Sequence, residues 1–407
     1  MKTSITFCLT LLAFSSIVSA YDMDLRLRIQ PGHTQANNNS PFSYYQNGYT
    51  WSRQDLITEI HHNGWGLEWT GTQLLVEDYK PEYKGVINQA YKDTNIGNWE
   101  LTIGKKKISW GVGTFYRPLD VLQNSPRRGL LPVIEEGLTL VSAERYFDSS
   151  SIGFVCGTEW KLNSESSRSG NNRCAIRWQT LMNDWELQGI AYADELTDYR
   201  VGFGISGIIG EALEIHSSAM YLHRYQKQIN TLLDSGQFLA TSDPMQYRDK
   251  EDGFRFLIGG TYTWTNNLSL SLEYWHDDSG YTKNEWEHLV SLTKIQQNLA
   301  RLGVVPESLV KGNQLWSSQI FLQQNIMQDY LASHISYSFD ETDITGYIIY
   351  SIQDKSRITT ITAETEINDY NNLAFGARYF DGTDNSVYKN SPTKYQVYLS
   401  WTAIFDV

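Results

Sequence analysis

The feature that most constrains this chain is its side-chain alternation. Stretch after stretch alternates apolar and polar residues, and no apolar run after residue 20 is long enough to be a spanning helix. Met23, Leu25, Leu27 and Ile29 point one way and Asp24, Arg26, Arg28 and Gln30 the other. The pattern returns at Ile152, Phe154, Cys156, Thr158, Trp160 and Leu162, and at Trp185, Leu187, Gly189 and Ala191. Phe254, Phe256, Ile258, Gly260, Tyr262 and Trp264 are followed, after Asn266-Asn267, by Leu268, Leu270, Leu272 and Tyr274. Near the end come Leu373 to Tyr379 and then Tyr395, Val397, Leu399, Trp401, Ala403 and Phe405. A soluble β-sandwich also alternates, but with strands of about 5–6 residues. Segments of about 9–11 residues match the length needed to cross a bilayer at a tilt. In hydrocarbon every backbone N–H and C=O must be paired within the protein, which a closed barrel achieves.

The expectation is therefore an all-β protein, a transmembrane antiparallel barrel. Composition agrees: 26 Tyr and 13 Trp with a mean hydropathy of only −0.41 fit a thin apolar outer face, aromatic girdles and a wet interior. Residues 1–20 read as a cleaved signal peptide, with Lys2, the apolar run Phe7 to Phe14, and Val18-Ser19-Ala20 before the cut. Residues 21–407 then form one domain. Loss of Lys2 leaves 32 basic against 46 acidic residues, a balance of −14 that argues against nucleic-acid binding.

Tight turns are expected at Asn63-Gly64, Ile96-Gly97, Asp148 to Ser150, Asn183-Asp184, Ile209-Gly210, Asn266-Asn267, Asp340 to Asp343 and Asp369 to Asn371. Longer loops are expected at 31–48, 109–137, 163–172, 225–252, 279–314 and 381–393. Short periplasmic turns and long extracellular loops are the asymmetry of such barrels. An even count with both termini in the periplasm is met by merging 315–339 into one long strand, which gives 18 strands, with 16 as the alternative.

Segment 109–137 follows the fifth strand and holds three prolines and several apolar residues, which suits a folded loop. General porins fold the loop after their fifth strand into the lumen, with its acids facing wall arginines, and this chain resembles them in that position. Lys107-Ile108-Ser109-Trp110-Gly111 and Arg117-Pro118-Leu119-Asp120-Val121 also resemble a stretch of about 15 residues in alginate-export-like and related uncharacterised barrels. The resemblance implies a constriction in which Arg117, Asp120, Arg127, Arg128, Glu135 and Glu136 take part. The wall cations that alternation turns inward are Arg26, Arg28, Lys106, Arg173, Arg177, Arg200, Arg255 and Arg378. Opposed charge across a narrow wet gap selects polar solutes; the alternative, and the expectation for any one cation taken singly, is that it pairs with a neighbouring wall acid and packs the wall.

In 279–314, Asn284 with Glu287 suggests a helix cap, and Leu292, Ile295, Leu299 and Leu302 share a face that Gly303 ends. A second turn is expected between Pro306 and Gly312, and the helix would act as a lid or as packing between loops. Cys156 and Cys174 fall on the lipid face of consecutive strands. A bridge needs the hairpin centred at Glu165, and two separate thiols are expected. His61, His62, His216 and His223 form no group with metal-ligand spacing, and no nucleophile or phosphate-loop motif is present. The expected function is a channel or export conduit for polar solutes, with anions favoured by the lumen arginines. The alternative is a non-conducting barrel that binds through its loops. Neither needs a cofactor or an enzyme activity. The expected partners are outer-membrane lipid, the barrel-assembly machinery, the solute and further copies of the chain.

Overall fold

In the computed structural model, residues 22–43, 47–123, 130, 134–158 and 172–406 are described. The leader at 1–20, Arg127, Arg128 and nearly all of the 163–172 loop lie outside them. Eighteen strands form one antiparallel sheet. The first six are β1 (Asp22–Ala36), β2 (Tyr49–His62), β3 (Trp65–Val76), β4 (Glu82–Ile96), β5 (Trp99–Lys106) and β6 (Leu138–Tyr146). Next come β7 (Ser150–Thr158), β8 (Asn172–Met182), β9 (Trp185–Asp194), β10 (Asp198–Ile209), β11 (Leu213–Asn230) and β12 (Met245–Thr263). The last are β13 (Leu268–Asp277), β14 (Asp329–Phe339), β15 (Thr342–Ser351), β16 (Ser356–Asn368), β17 (Asn371–Asp381) and β18 (Thr393–Asp406). Each pairs with the next, and Asp24 to Ala36 of β1 pair with β18, so the sheet closes and has no free edge.

The outer face is the alternating apolar set. Ile103, Val141, Phe154, Ile176, Phe203, Ile258, Leu272, Ile361 and Leu399 are all exposed. A continuous belt of this kind around a closed sheet is a lipid face, since soluble monomers do not expose apolar patches of that extent. Trp65, Tyr146, Tyr262, Trp264 and Tyr370 stand exposed near the short turns and supply an aromatic girdle at that end. The turns are built as expected: Asn63 (φ 46°) and Gly64 (φ 79°) both take positive φ, as a hairpin turn between right-twisted strands requires.

The strand count of 18 stands, but the reading of 315–339 does not. Helix α3 (Glu307–Ser318) and a 3₁₀ turn (Gln319–Leu322) occupy its first part, and β14 begins only at Asp329. The loop at 225–252 is also shorter than expected. Arg224 to Asn230 stay paired with Met245 to Glu251, so this hairpin projects into water as polar sheet, with the four-residue helix α1 (Leu232–Ser235) at its tip. Likewise β1 continues to Ala36. Polar composition marked solvent there rather than the end of the ladder.

The two cysteines face each other across β7 and β8, with Cα atoms 4.1 Å apart, and are bridged. Separate thiols are thus corrected: the pairing register places Cys156 directly opposite Cys174.

The lumen is not uniformly wet. Leu138, Leu140, Val155, Ala175, Ile190, Tyr192, Met220 and Leu222 make a buried apolar sector inside the wall. A second cluster runs from Phe115 and Tyr116 through Trp275 and Tyr330 to Trp286 and Phe42. What covers these surfaces is the segment after β5 and the helices after β13.

Candidate functional site: the loop inside the barrel

The segment 107–137 joins neighbouring strands, yet its tip touches the opposite wall. β5 lies nine strands from β14 in a ring of eighteen. The tip nevertheless contacts β12 to β15, so it crosses the lumen. Phe115 packs its ring edge-on to His334 (centroids 6.0 Å apart) and against Tyr347 at 5.2 Å. The backbone N–H groups of Thr114 and Phe115 both donate to the carboxylate of Glu273, with Phe115 N 3.0 Å from Oε2. Tyr116 donates its hydroxyl to Asp277 at 2.8 Å. Gly113 makes the turn at φ 108°, and a Cβ there would stand 2.4 Å from a Leu257 methyl. Only glycine fits both the angle and the space.

The loop then passes over β7 to β11. Leu119 is fully buried and sits in a socket made by two glycines of β10. A Cβ on Gly202 or Gly204 would lie 2.5 or 2.8 Å from its methyls. Val121 and Leu122 complete this contact, and Arg173 of β8 donates to the Leu122 carbonyl at 3.0 Å. Gln123 closes the loop. Its side chain accepts from Ile108 N at 3.1 Å and donates to Glu136 O at 3.0 Å. A bulge in β4 helps. Asn88 is the extra residue between the pairs Glu68↔Gln89 and Trp69↔Ile87. Its amide donates to Glu135 O at 3.0 Å, while its carbonyl accepts from Gly137 N at 2.8 Å.

The loop residues singled out by sequence hold the loop together. Asp120 Oδ1 accepts from the N–H groups of Trp110 and Gly111, both at 2.7 Å. Arg117 donates to Gly113 O at 2.7 Å and to Ser109 Oγ at 2.8 Å. Glu136 pairs with Lys105. Glu135 enters through its carbonyl.

The eight wall cations divide by partner. Arg26 pairs with Glu59 (2.6 Å), Arg28 with Asp55 (2.9 Å), Lys106 with Asp93 (2.8 Å), Arg177 with Glu144 (2.7 Å) and Arg255 with Asp277 (3.0 Å). Arg173 holds the loop, as described. Arg200 donates to Thr197 Oγ1 at 2.7 Å and lies over the Tyr192 ring. Arg378 is buried, donates to Thr360 Oγ1 at 3.0 Å and to the Tyr347 hydroxyl, and meets no carboxylate at ion-pair distance among the described residues. It touches, through Tyr347, the same loop tip. Sequence reasoning missed Glu273, Asp277 and Asn88 as holders of the loop, and Arg53 and Lys107 as lumen cations. Arg53 reaches Asp55 at 2.9 Å and Lys107 reaches Glu68 at 2.7 Å. Inward parity was readable for Glu273, which lies between outward Leu272 and Tyr274. Its partner in another part of the chain was not.

Below the loop, toward the short turns, a cavity of about 470 Å³ is lined by Asp93, Lys106, Trp110, Glu144 and Arg177 among others. Lys106 pairs with Asp93 and Arg177 with Glu144 across it, and Arg177 lies 5.4 Å from the Trp110 ring centroid.

Above the loop, helices α2 (Lys283–Arg301) and α3 lie on the long-loop end. The α2 cap is Thr282 with Glu285, two residues earlier than expected, and both halves of the capping box form. The face it buries is Trp286, Leu289, Val290, Thr293 and Gln296 together with Leu292, whereas Ile295 and Leu302 are exposed. Trp286 stacks on Phe42 at 5.4 Å and donates to Asn385 O at 2.6 Å. Gln314 donates to Pro41 O, and Asn313 bonds both N and O of Ala240 at 2.9 Å. The helices thereby tie together the loops after β1, β11 and β17. Burial opposes charge on Glu285, but donation from Lys227 and from Thr282 holds its carboxyl below the usual carboxylate range.

No protein-family model matches the chain, and no curated protein matches it in sequence. Its fold does have solved counterparts. Acinetobacter baumannii OccAB1 superposes with a TM-score of 0.60 at 10% identity, covering 96% of this chain and 97% of that one. Pseudomonas aeruginosa OccK8 (OprE) gives 0.57 at 11% identity over 95% and 98%, and P. aeruginosa OprD gives 0.53 at 9% over 95% of each. By architecture, the chain is an 18-stranded barrel of the kind those proteins form.

Proposed function

We propose that this protein is an outer-membrane channel, an uptake pore or export conduit, that passes small polar solutes and favours anions. The observation that carries this reading is the loop after β5, whose described residues 107–123 run inward and are pinned to the far wall. Such a loop narrows a lumen without closing the barrel, and it stands where passing solute must meet its side chains. Arg378 supports the preference for anions, because a cation without a carboxylate partner beside the narrowing leaves positive potential there. The outer membrane is the fitting location: a closed barrel with a lipid face and a short-turn end inserts there with the help of assembly machinery. Lipid, solute and further copies of the chain are the partners this reading implies, and no cofactor enters it.

Planar bilayers test the proposal. Purified protein should give discrete conductance steps, and a salt gradient should give a reversal potential on the anion side. A silent membrane would overturn it. A second reading, a barrel that binds partners through its surface, draws on the helical cap, which ties three loops across the mouth. Silence in the bilayer together with intact folding would favour that reading.

A further inference from the structure

The grip on the loop tip is itself built in an unusual way. Glu273 of β13 and His216 of β11 are not on adjacent strands; β12 runs between them. In register they flank Gly259, with His216↔Gly259 on one side and Gly259↔Glu273 on the other. A Cβ on Gly259 would stand 2.6 Å from His216 Nε2 and 2.8 Å from Glu273 Cγ. The glycine leaves the middle of the row empty, and His216 Nε2 reaches Glu273 Oε1 at 3.2 Å over it. The other ring nitrogen, Nδ1, faces Glu214 Oε1 at 3.2 Å. The Glu273 side chain has no solvent exposure, and its oxygens accept from His216 and from the two N–H groups of Thr114 and Phe115.

We propose that Glu273 positions the constriction loop and does so as a proton-operated latch, closed while its carboxylate is ionised and released on acidification, with the charge of His216 setting where release occurs. An ionised carboxylate offers acceptors to both amides and to the imidazole. A protonated one turns an oxygen into a donor, so a loop N–H buried in the lumen loses its acceptor and the closed state is weakened. An imidazolium donating to both Glu273 and Glu214 favours the closed state. The other groups around Glu273 are few. His334 of β14 packs against Phe115 on the far side. Leu257 and Gly259 come from β12 and Ala332 from β14. Arg117 of the loop is engaged with Gly113 O, and the Arg255–Asp277 pair lies further along β12 and β13 toward the long-loop end. The closed latch is present while the carboxylate is ionised and is lost as it takes up a proton on acidification.

This inference rests on the channel reading for its consequence, but its test does not. Amide hydrogen exchange of the peptide that contains Thr114 and Phe115 is followed in folded, liposome-inserted protein from pH 3.5 to 8, corrected for intrinsic exchange. The expected result is a roughly tenfold or greater fall in protection through an acid transition. Glu273→Gln should show the low-protection state at every pH. His216→Gln should move the midpoint up by about one pH unit, the effect of removing one nearby opposite charge. No transition in the wild type, full protection in Glu273→Gln or an unmoved midpoint in His216→Gln would each overturn the latch. If Glu273→Gln fails to fold, His216→Gln decides alone. Conductance recorded beside it separates the two claims: a silent wild type refutes the channel, whereas exchange alone refutes the latch.

Discussion

Phe115 N–H donates to Glu273 Oε2 at 3.0 Å, across 158 residues of sequence. That bond converts a surface-type connection between β5 and β6 into an internal partition. The tip hangs from two wall acids, Glu273 and Asp277, and its flanks are held by apolar contact and by Asn88. The wall supplies the acids and the loop the donors, so Asp120 is left to fold the loop while Glu136 pairs with Lys105 at its root. The expected arrangement, loop acids facing wall arginines, differs from this in direction.

The Leu119 socket should carry much of the seating energy. Leu119→Ala is expected to cost about 3 kcal/mol, the usual penalty for a buried leucine with a rigid surround. Gly204→Val fills the socket from the other side and should displace the same segment. Both variants should keep the barrel's strand content by circular dichroism and show faster exchange over 108–123. Unchanged exchange in both would mean that the socket does not hold the loop.

Arg378→Gln should shift ion selectivity toward cations, because the charge it removes is not offset by a carboxylate at ion-pair distance. Arg28→Gln should shift it less, since Arg53 still neutralises Asp55. Reversal potentials under a salt gradient measure both. An equal shift in the two variants would contradict this partition of the lumen charge.

The cap helix has its own pH dependence. Glu285 is held below its ordinary range, so the stabilisation it supplies is present above the unfolded carboxyl range and is lost as pH falls through the folded one. Thr282→Ala removes the capping box and should weaken α2 by about 1 kcal/mol. Exchange over 283–301 should rise in the variant at neutral pH and in the wild type near pH 3. A wild type equally protected at pH 3 and pH 7 would argue against the Lys227–Glu285–Thr282 contribution.

The Cys156–Cys174 bridge lies on the lipid face, away from the loop. Replacing both by serine should lower stability by roughly 3 kcal/mol on the chain-entropy view and leave conductance unchanged. Thiol titration of unfolded, unreduced protein should find neither cysteine free. An altered conductance would show that the bridge acts on the lumen.

The barrel was largely legible because lipid demands one apolar side chain in two, and Asn63-Gly64 or Asn266-Asn267 mark where the ladder must reverse. The inner apolar sector was not. In β6, Leu138 and Leu140 face inward beside outward Val141, so both faces are apolar and alternation loses its contrast. The surface that Leu138 and Leu140 cover is Leu119 and its neighbours, which strand periodicity cannot reveal. Strand 315–339 failed for a related reason: Ile320 is buried, and Trp316 and Phe321 pack against the same cluster, Phe321 edge-on to Phe42 of the loop after β1, so tertiary contact chose helix where polar alternation was ambiguous. The cysteine bridge depended on register, which the hairpin's pairing sets and composition does not.

The most direct test removes the partition. Residues 108–135 are replaced by a short Gly–Ser link while Lys106↔Leu138 and the rest of the β5–β6 ladder are kept. Single-channel conductance of this variant is then compared with that of the wild type. A severalfold larger conductance with weakened ion selectivity is the predicted result. A conductance and selectivity equal to the wild type would contradict the claim that this loop forms the constriction.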